Sequence, residues 1–283
     1  MRSELFRDTP QGSAVMPSNE VLFIDSGGAR MFGRCLLPAR AEKEALCPVI
    51  LMAHGFPGNE KNHDLAQLFR MAGFAVVCFS YRGVWGSHGF YSLSHIIEDT
   101  LAAAEHIRNL PRETGVDADR LYVFGHSMGG FALINAMAAG LKARGAFFMS
   151  PCDFAEMYLH DPKRFGELNR CSQSGYFRLE REDIFEWEME SRCGEWRFLS
   201  AAEKLDPSVP CCFIGGTRDT STPPGSHIIP LAQELRRRGA PVDYLELDDS
   251  HDYPASRFRV AEYVVTRIRS LEAAAKPQNS LNT

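Results

Sequence analysis

The chain lacks any apolar run long enough to span a bilayer, and Met1 to Asn19 lack the apolar core of a signal peptide. A cytoplasmic protein with no membrane partner is expected. It also lacks a Lys/Arg-rich run or a basic patch interleaved with aromatics. With a net charge of -5, it offers a nucleic-acid backbone no electrostatic footing. Its eight cysteines form no CxxC pair and no zinc-type spacing with histidine, so neither a metal nor a cofactor is expected. Cys35, Cys47, Cys78 and Cys211-Cys212 lie in or beside apolar runs and read as reduced thiols acting as small hydrophobes. There is no internal repeat, and no compositional bias of the kind that marks disordered or fibrous chains.

What the chain does have is alternation. Val21 to Asp25 and Arg30 to Leu37 flank Ser26-Gly27-Gly28 and predict an antiparallel hairpin. Strand-like runs then alternate with helical ones. The strands are expected at Val49 to Ala53, Ala75 to Ser80, Leu121 to Phe124, Ala146 to Ser150, Cys211 to Ile214 and Val242 to Leu247. The helices are expected at Asp64 to Met71, Ser94 to Asn109, Met128 to Ala139, Ile228 to Arg238 and Ala255 to Ala275. This rhythm predicts an α/β fold with a mostly parallel sheet. It stops between Pro151 and Leu205, where aromatic and charged residues predict a helical insertion over one face. Most of the insertion's aromatics are expected to pack it onto the domain. The acids Glu180, Glu182, Asp183, Glu186, Glu188 and Glu190 read first as a solvated helix face and second as a lure for a cationic substrate.

Four motifs at strand ends carry chemistry. Gly125-His126-Ser127-Met128-Gly129 follows an apolar strand and opens a small-residue helix, the context of a nucleophile elbow. His54-Gly55-Phe56-Pro57-Gly58 follows another strand, and the N–H groups of Phe56 and Met128 are candidates for an oxyanion hole. Gly215-Gly216-Thr217-Arg218-Asp219 supplies Asp219, a carboxylate to orient a base, with Asp153 as its rival. Asp248-Asp249-Ser250-His251-Asp252-Tyr253 supplies His251 as the base, with His126 and His227 as rivals. The chain order Ser127, Asp219, His251 selects the set. Arg82 is read as tying loops together ahead of binding a substrate carboxylate. Trp85, His126 and Trp187 are candidates for contact with substrate.

Together these motifs resemble the α/β-hydrolase superfamily over about Val21 to Leu271. They are most similar to bacterial carboxylesterases related to feruloyl esterases and dienelactone hydrolases, and to the catalytic domain of prolyl oligopeptidases. The resemblance implies an eight-stranded sheet with a lid after the sixth strand, and a serine hydrolase cleaving a small-molecule ester through an acyl-enzyme. The expected layout is a core at 20–151 and 206–275, a cap at 152–205 and flexible ends at 1–19 and 276–283. Phe56 stands where the oligopeptidases carry a tyrosine, and no propeller-sized domain precedes the core, which favours an esterase over an amide hydrolase. Ser127 stands where dienelactone hydrolases carry cysteine. A non-catalytic binding protein of the same fold is the third reading. Aromatics on the insertion offer a homodimer interface as an alternative to covering the pocket.

Overall fold

A computed structural model describes residues 5–7, 9–58 and 61–275. The flexible tail expected at 276–283, and residues 1–4 and 8 of the expected flexible N-terminus, lie outside the described residues.

The first two strands are β1 (Ser18–Ser26) and β2 (Ala29–Leu37), which pair antiparallel. Then follow β3 (Cys47–Ala53), α1 (His63–Met71), β4 (Ala75–Phe79), α2 (Leu93–Arg108), β5 (Val116–His126), α3 (Met128–Ala138) and β6 (Gly145–Met149). The segment with no strand contains α4 (Phe154–His160), α5 (Pro162–Ser172), α6 (Ile184–Trp196) and α7 (Phe198–Ala202). After it come β7 (Cys211–Gly216), α8 (Pro224–His227), α9 (Ile229–Arg237), β8 (Val242–Leu247) and α10 (Arg257–Ala275).

The eight strands form one sheet in the order β1-β2-β4-β3-β5-β6-β7-β8. β2 runs antiparallel to both of its neighbours, and every pairing from β4 to β8 is parallel. β3, β4, β6 and β7 are apolar, and β5 is so from Leu121 to Phe124, because helices cover both faces and neither side of these strands meets water. Leu93, Ile96 and Ile107 of α2, Phe131 and Ile134 of α3 and Leu231 of α9 pack one face. Leu65 and Phe69 of α1 with Val260, Val264 and Ile268 of α10 pack the other. At the edge, β1 keeps the alternation of a half-solvated strand, with Val21 and Phe23 exposed and Leu22 and Ile24 buried.

Two elements depart from expectation. β5 begins at Val116, five residues before the apolar run, because Val116 and Asp117 pair with Cys47 and Pro48 across a register shift. The short helix α8, opened by Pro224, precedes the expected helix. The chain leaves β3 for β4 on one side and joins β5 to β3 on the other, so the loops ending β3 and β5 face each other across a reversal in strand order. Parallel sheets gather their ligand sites at such a reversal, outside the carboxyl ends of the strands.

Candidate active site

Ser127 sits between β5 and α3 at φ 55 and ψ -120, a conformation that few non-glycine residues adopt. The surroundings hold it there. Its N–H donates to the Met149 carbonyl at 3.0 Å, and its carbonyl accepts from Gly130 and Cys152 at 2.9 and 3.0 Å. The turn closes because the next residues are small. A Cβ on Gly129 would collide with the carbonyl oxygen of Ala53, and one on Gly130 with the Pro151 ring. Met128, the first residue of α3, has one of the N–H groups that a helix start leaves without an intrahelical acceptor.

Asp219 follows β7 and is 4% exposed. Ser221 N–H and Thr222 N–H donate to its Oδ1 at 2.8 and 2.9 Å, while Ser150 Oγ and Thr222 Oγ1 donate to Oδ2 at 2.6 and 2.9 Å. His251 Nδ1 lies 2.9 Å from the same Oδ2. Burial opposes ionisation of Asp219, but the hydrogen bond and charge of His251 together with these donors outweigh it. The carboxyl is held well below the usual range. With Asp219 as a charged acceptor, the proton of neutral His251 belongs on Nδ1, which leaves Nε2 unprotonated.

Ser127 and His251 line one cavity of about 230 Å³, together with Phe56 and His126. A serine on a tight turn, beside a histidine oriented by a buried carboxylate, is an arrangement that can pass the serine proton to the histidine. Phe56 is set by its ring, which stacks on Phe177 with centroids 5.1 Å apart and interplanar angle 3°.

The model of the alpha/beta hydrolase family matches residues 50–267. The chain belongs to that family. Among curated relatives, the uncharacterized protein YfhR of Escherichia coli K12 is 28% identical over 134 residues, 47% of this chain and 46% of that one. The chain thus spans about half the length of the curated relatives it matches. Among solved structures, Est1E from Butyrivibrio proteoclasticus matches with TM-score 0.64 at 16% identity, over 89% of this chain and 99% of that one. A puromycin hydrolase matches with TM-score 0.70 at 18% identity, over 91% of this chain and 40% of that one. At these identities the structures share the hydrolase fold. Est1E has also been solved with ferulic acid bound.

The other sequence candidates fall into two groups. His126 lies beside the hydrolase pocket: its Nε2 donates to the His251 carbonyl at 3.0 Å, and Asn62 Nδ2 is 3.3 Å from its Nδ1. Burial, with His251 adding, pushes its imidazole down to about 3, so it is neutral. Its ring, with centroid 5.0 Å from that of His251, therefore supports the base loop as well as bordering the cavity.

Trp187 corrects the reading of it as a substrate contact. It is 51% exposed, carries Arg181 over its ring, and borders a separate cleft with Phe90 and Glu98. Trp85 stands off the Ser127 cavity too. Its Nε1 donates to the Pro57 carbonyl at 3.0 Å and its ring stacks with Tyr176, so it braces the loop that carries Phe56. Arg82 is buried against Asp99 and Glu98 and ties β4 to α2, as the loop-tying reading expects.

The rivals Asp153 and His227 pair with each other away from Ser127. Asp153 N–H donates to His227 Nδ1 at 3.0 Å, and the Asp153 carboxylate accepts from Ala155, Glu156 and Phe198 N–H groups. Glu188 matches neither reading of the acidic run. It is 3% exposed and accepts from the Leu93 and Ser94 N–H groups at the start of α2.

Sequence reasoning missed Ser150, Thr222 and Tyr253. Ser150 holds Asp219 and in turn contacts Tyr253 Oη at 2.7 Å. Ser150, at φ 43, ends a strand much as Ser127 does, but no motif marks it. Arg164 was missed as well, because nothing in the sequence aims α5 at the site.

Proposed function

We propose that this hydrolase cleaves a carboxylic ester through an acyl-enzyme. The observation that carries the reading is the His251–Asp219 hydrogen bond beside the elbow serine in one cavity. In this mechanism Ser127 Oγ attacks the ester carbonyl while His251 Nε2 takes its proton. The carbonyl oxygen becomes an oxyanion facing the Phe56 and Met128 N–H groups, and His251 returns the proton to the departing alcohol. Water then repeats the sequence and releases the acid. Asp219 stabilises the imidazolium that forms at each stage.

An ester is favoured over an amide because the cavity offers Phe154, Met157 and Leu168 to an acyl chain. The one carboxylate among its lining residues is Asp252, which is largely exposed and so weakly placed to grip a peptide's amino terminus. In this reading 152–205 is a cap: α4 and α5 supply those apolar side chains, and α6 contributes Phe185, which meets Phe56 edge-on. The free thiols of the described residues fit a reducing cytoplasm.

Intact mass after treatment with a fluorophosphonate should show one adduct on the native protein and none on Ser127→Ala. That variant should lose ester turnover while keeping its melting temperature. Undiminished turnover by Ser127→Ala would remove the proposal. Rates on paired 4-nitrophenyl esters and 4-nitroanilides decide between ester and amide.

A further inference from the structure

One wall of the Ser127 cavity has a group that acyl transfer does not use. Arg164 interrupts the apolar surface of Met157 and Leu168 with a guanidinium. Its place is unfavourable for the helix that bears it, because the first turn of α5 is where aligned peptide dipoles repel a cation. Its carboxylate partner among the described residues is Glu167, whose Oε2 on an exposed side chain is 3.6 Å from Nη1, beyond a hydrogen bond and in the range of a weak surface ion pair. Among the described residues, the one side-chain hydrogen bond from Arg164 goes to Ser221 Oγ at 2.8 Å. A guanidinium has five N–H donors, so a single bond to a neutral hydroxyl leaves most of them for a ligand. That bond also aims it, because Ser221 belongs to the loop whose N–H groups hold Asp219. Arg82, by contrast, spends its charge on Asp99 and Glu98.

We propose that Arg164 is a specificity-determining residue that binds a free carboxylate on the substrate. The preferred substrates are then short esters bearing a second, ionised carboxyl group. This inference rests on the esterase reading. A planar guanidinium accepts a carboxylate through two parallel hydrogen bonds, and in a half-buried cavity that pairing is screened less than at an open surface. A volume of about 230 Å³ suits a spacer of a few methylenes between the two carboxyl groups. The spacer would lie on Phe154, Met157 and Leu168.

Steady-state rates on monoethyl adipate and ethyl hexanoate test this, with Ser127→Ala as the blank. The wild-type kcat/KM should favour the anionic ester at least tenfold, and the preference should shrink as ionic strength rises. In Arg164→Gln the ratio of the two kcat/KM values should fall to about one, mainly through KM on monoethyl adipate, and Arg164→Lys should restore part of it. A wild-type enzyme indifferent to the anion, or an Arg164→Gln enzyme that keeps the preference, overturns the role of Arg164. Fluorophosphonate labelling separates the two levels. Labelled Ser127 without anion preference overturns only this inference, whereas no labelling and no turnover of either ester overturns the esterase reading with it.

Discussion

The loops at the carboxyl ends of the strands and the helical segment between β6 and β7 both bury acids, and they employ them in opposite ways. Asp219, after β7, gathers four hydrogen bonds from Ser150, Ser221 and Thr222, and a fifth from the His251 ring. Asp153 and Glu188 are as buried as Asp219, but their backbone partners are N–H groups at helix starts, which never give up a proton. Burial and a strand-end address therefore do not make a carboxylate part of the chemistry. What distinguishes Asp219 is that one of its partners is an imidazole, whose second nitrogen can accept a proton from a substrate-bound or serine oxygen.

Replacing each acid by its amide should separate the two uses, and the largest effect belongs to Asp219. Asp219→Asn presents an N–H or a neutral oxygen to His251 Nδ1, which favours the wrong tautomer and leaves the imidazolium without a counter-charge. A fall in kcat of about 10³- to 10⁴-fold is expected with a folded protein. Asp153→Asn should stay within a few-fold of wild type. Equal losses in the two variants would erase the distinction.

Much of the strand-end chemistry was legible because it follows from chain order and from short local motifs. Ser127, Asp219 and His251 each follow an apolar run, and a parallel sheet brings such positions to one edge whatever lies between them. The helical segment was legible only as helical. Trp187 and Glu188 are adjacent in α6, yet one is half exposed and the other buried on a helix start 95 residues away. That contact depends on how α6 docks against α2, which periodicity does not encode. Arg164 escaped notice for the same reason. The early start of β5 was hidden by its polar residues Asp117, Asp119 and Arg120: Val116 and Asp117 pair with β3, and 118–120 form the irregularity before pairing resumes at Leu121.

The pH dependence of stability sharpens the contrast between the two aspartates. Burial raises the Asp153 carboxyl from 3.8 to about 6, so between these values the folded chain holds a proton that the unfolded chain has lost. Stability from this group is present below pH 4 and is lost as pH rises toward 6, by about 3 kcal/mol in all. Asp219 is shifted the other way, so its contribution is present above the ordinary carboxylate range and is lost as pH falls below it. Urea unfolding of Asp153→Asn should therefore gain on wild type by about 3 kcal/mol between pH 4 and pH 7. Asp219→Asn should lose ground as pH rises toward 4 and hold a constant deficit above it. Parallel curves for the two variants would mean that their surroundings are electrostatically alike.

The smallest expected effect is at Glu188, and it tests whether the helical segment helps to hold the domain together. The start of α2 has two caps: Ser92 Oγ accepts from His95 N–H at 3.1 Å, and Glu188 accepts from Leu93 and Ser94 N–H at 2.7 and 3.1 Å. Ser94 Oγ also donates to Glu188. Glu188→Gln keeps one acceptor oxygen, turns an amide N–H toward a backbone N–H, and removes the negative charge that the helix start favours. A loss of about 1–2 kcal/mol in unfolding free energy is expected. The kcat/KM for either ester should stay within twofold, since Glu188 lies off the Ser127 cavity. If kcat/KM falls while stability holds, α6 acts on the site through its position over Phe56 rather than as a clamp on α2. The boundary between the chemical and the structural acids would then have to be redrawn to include Glu188.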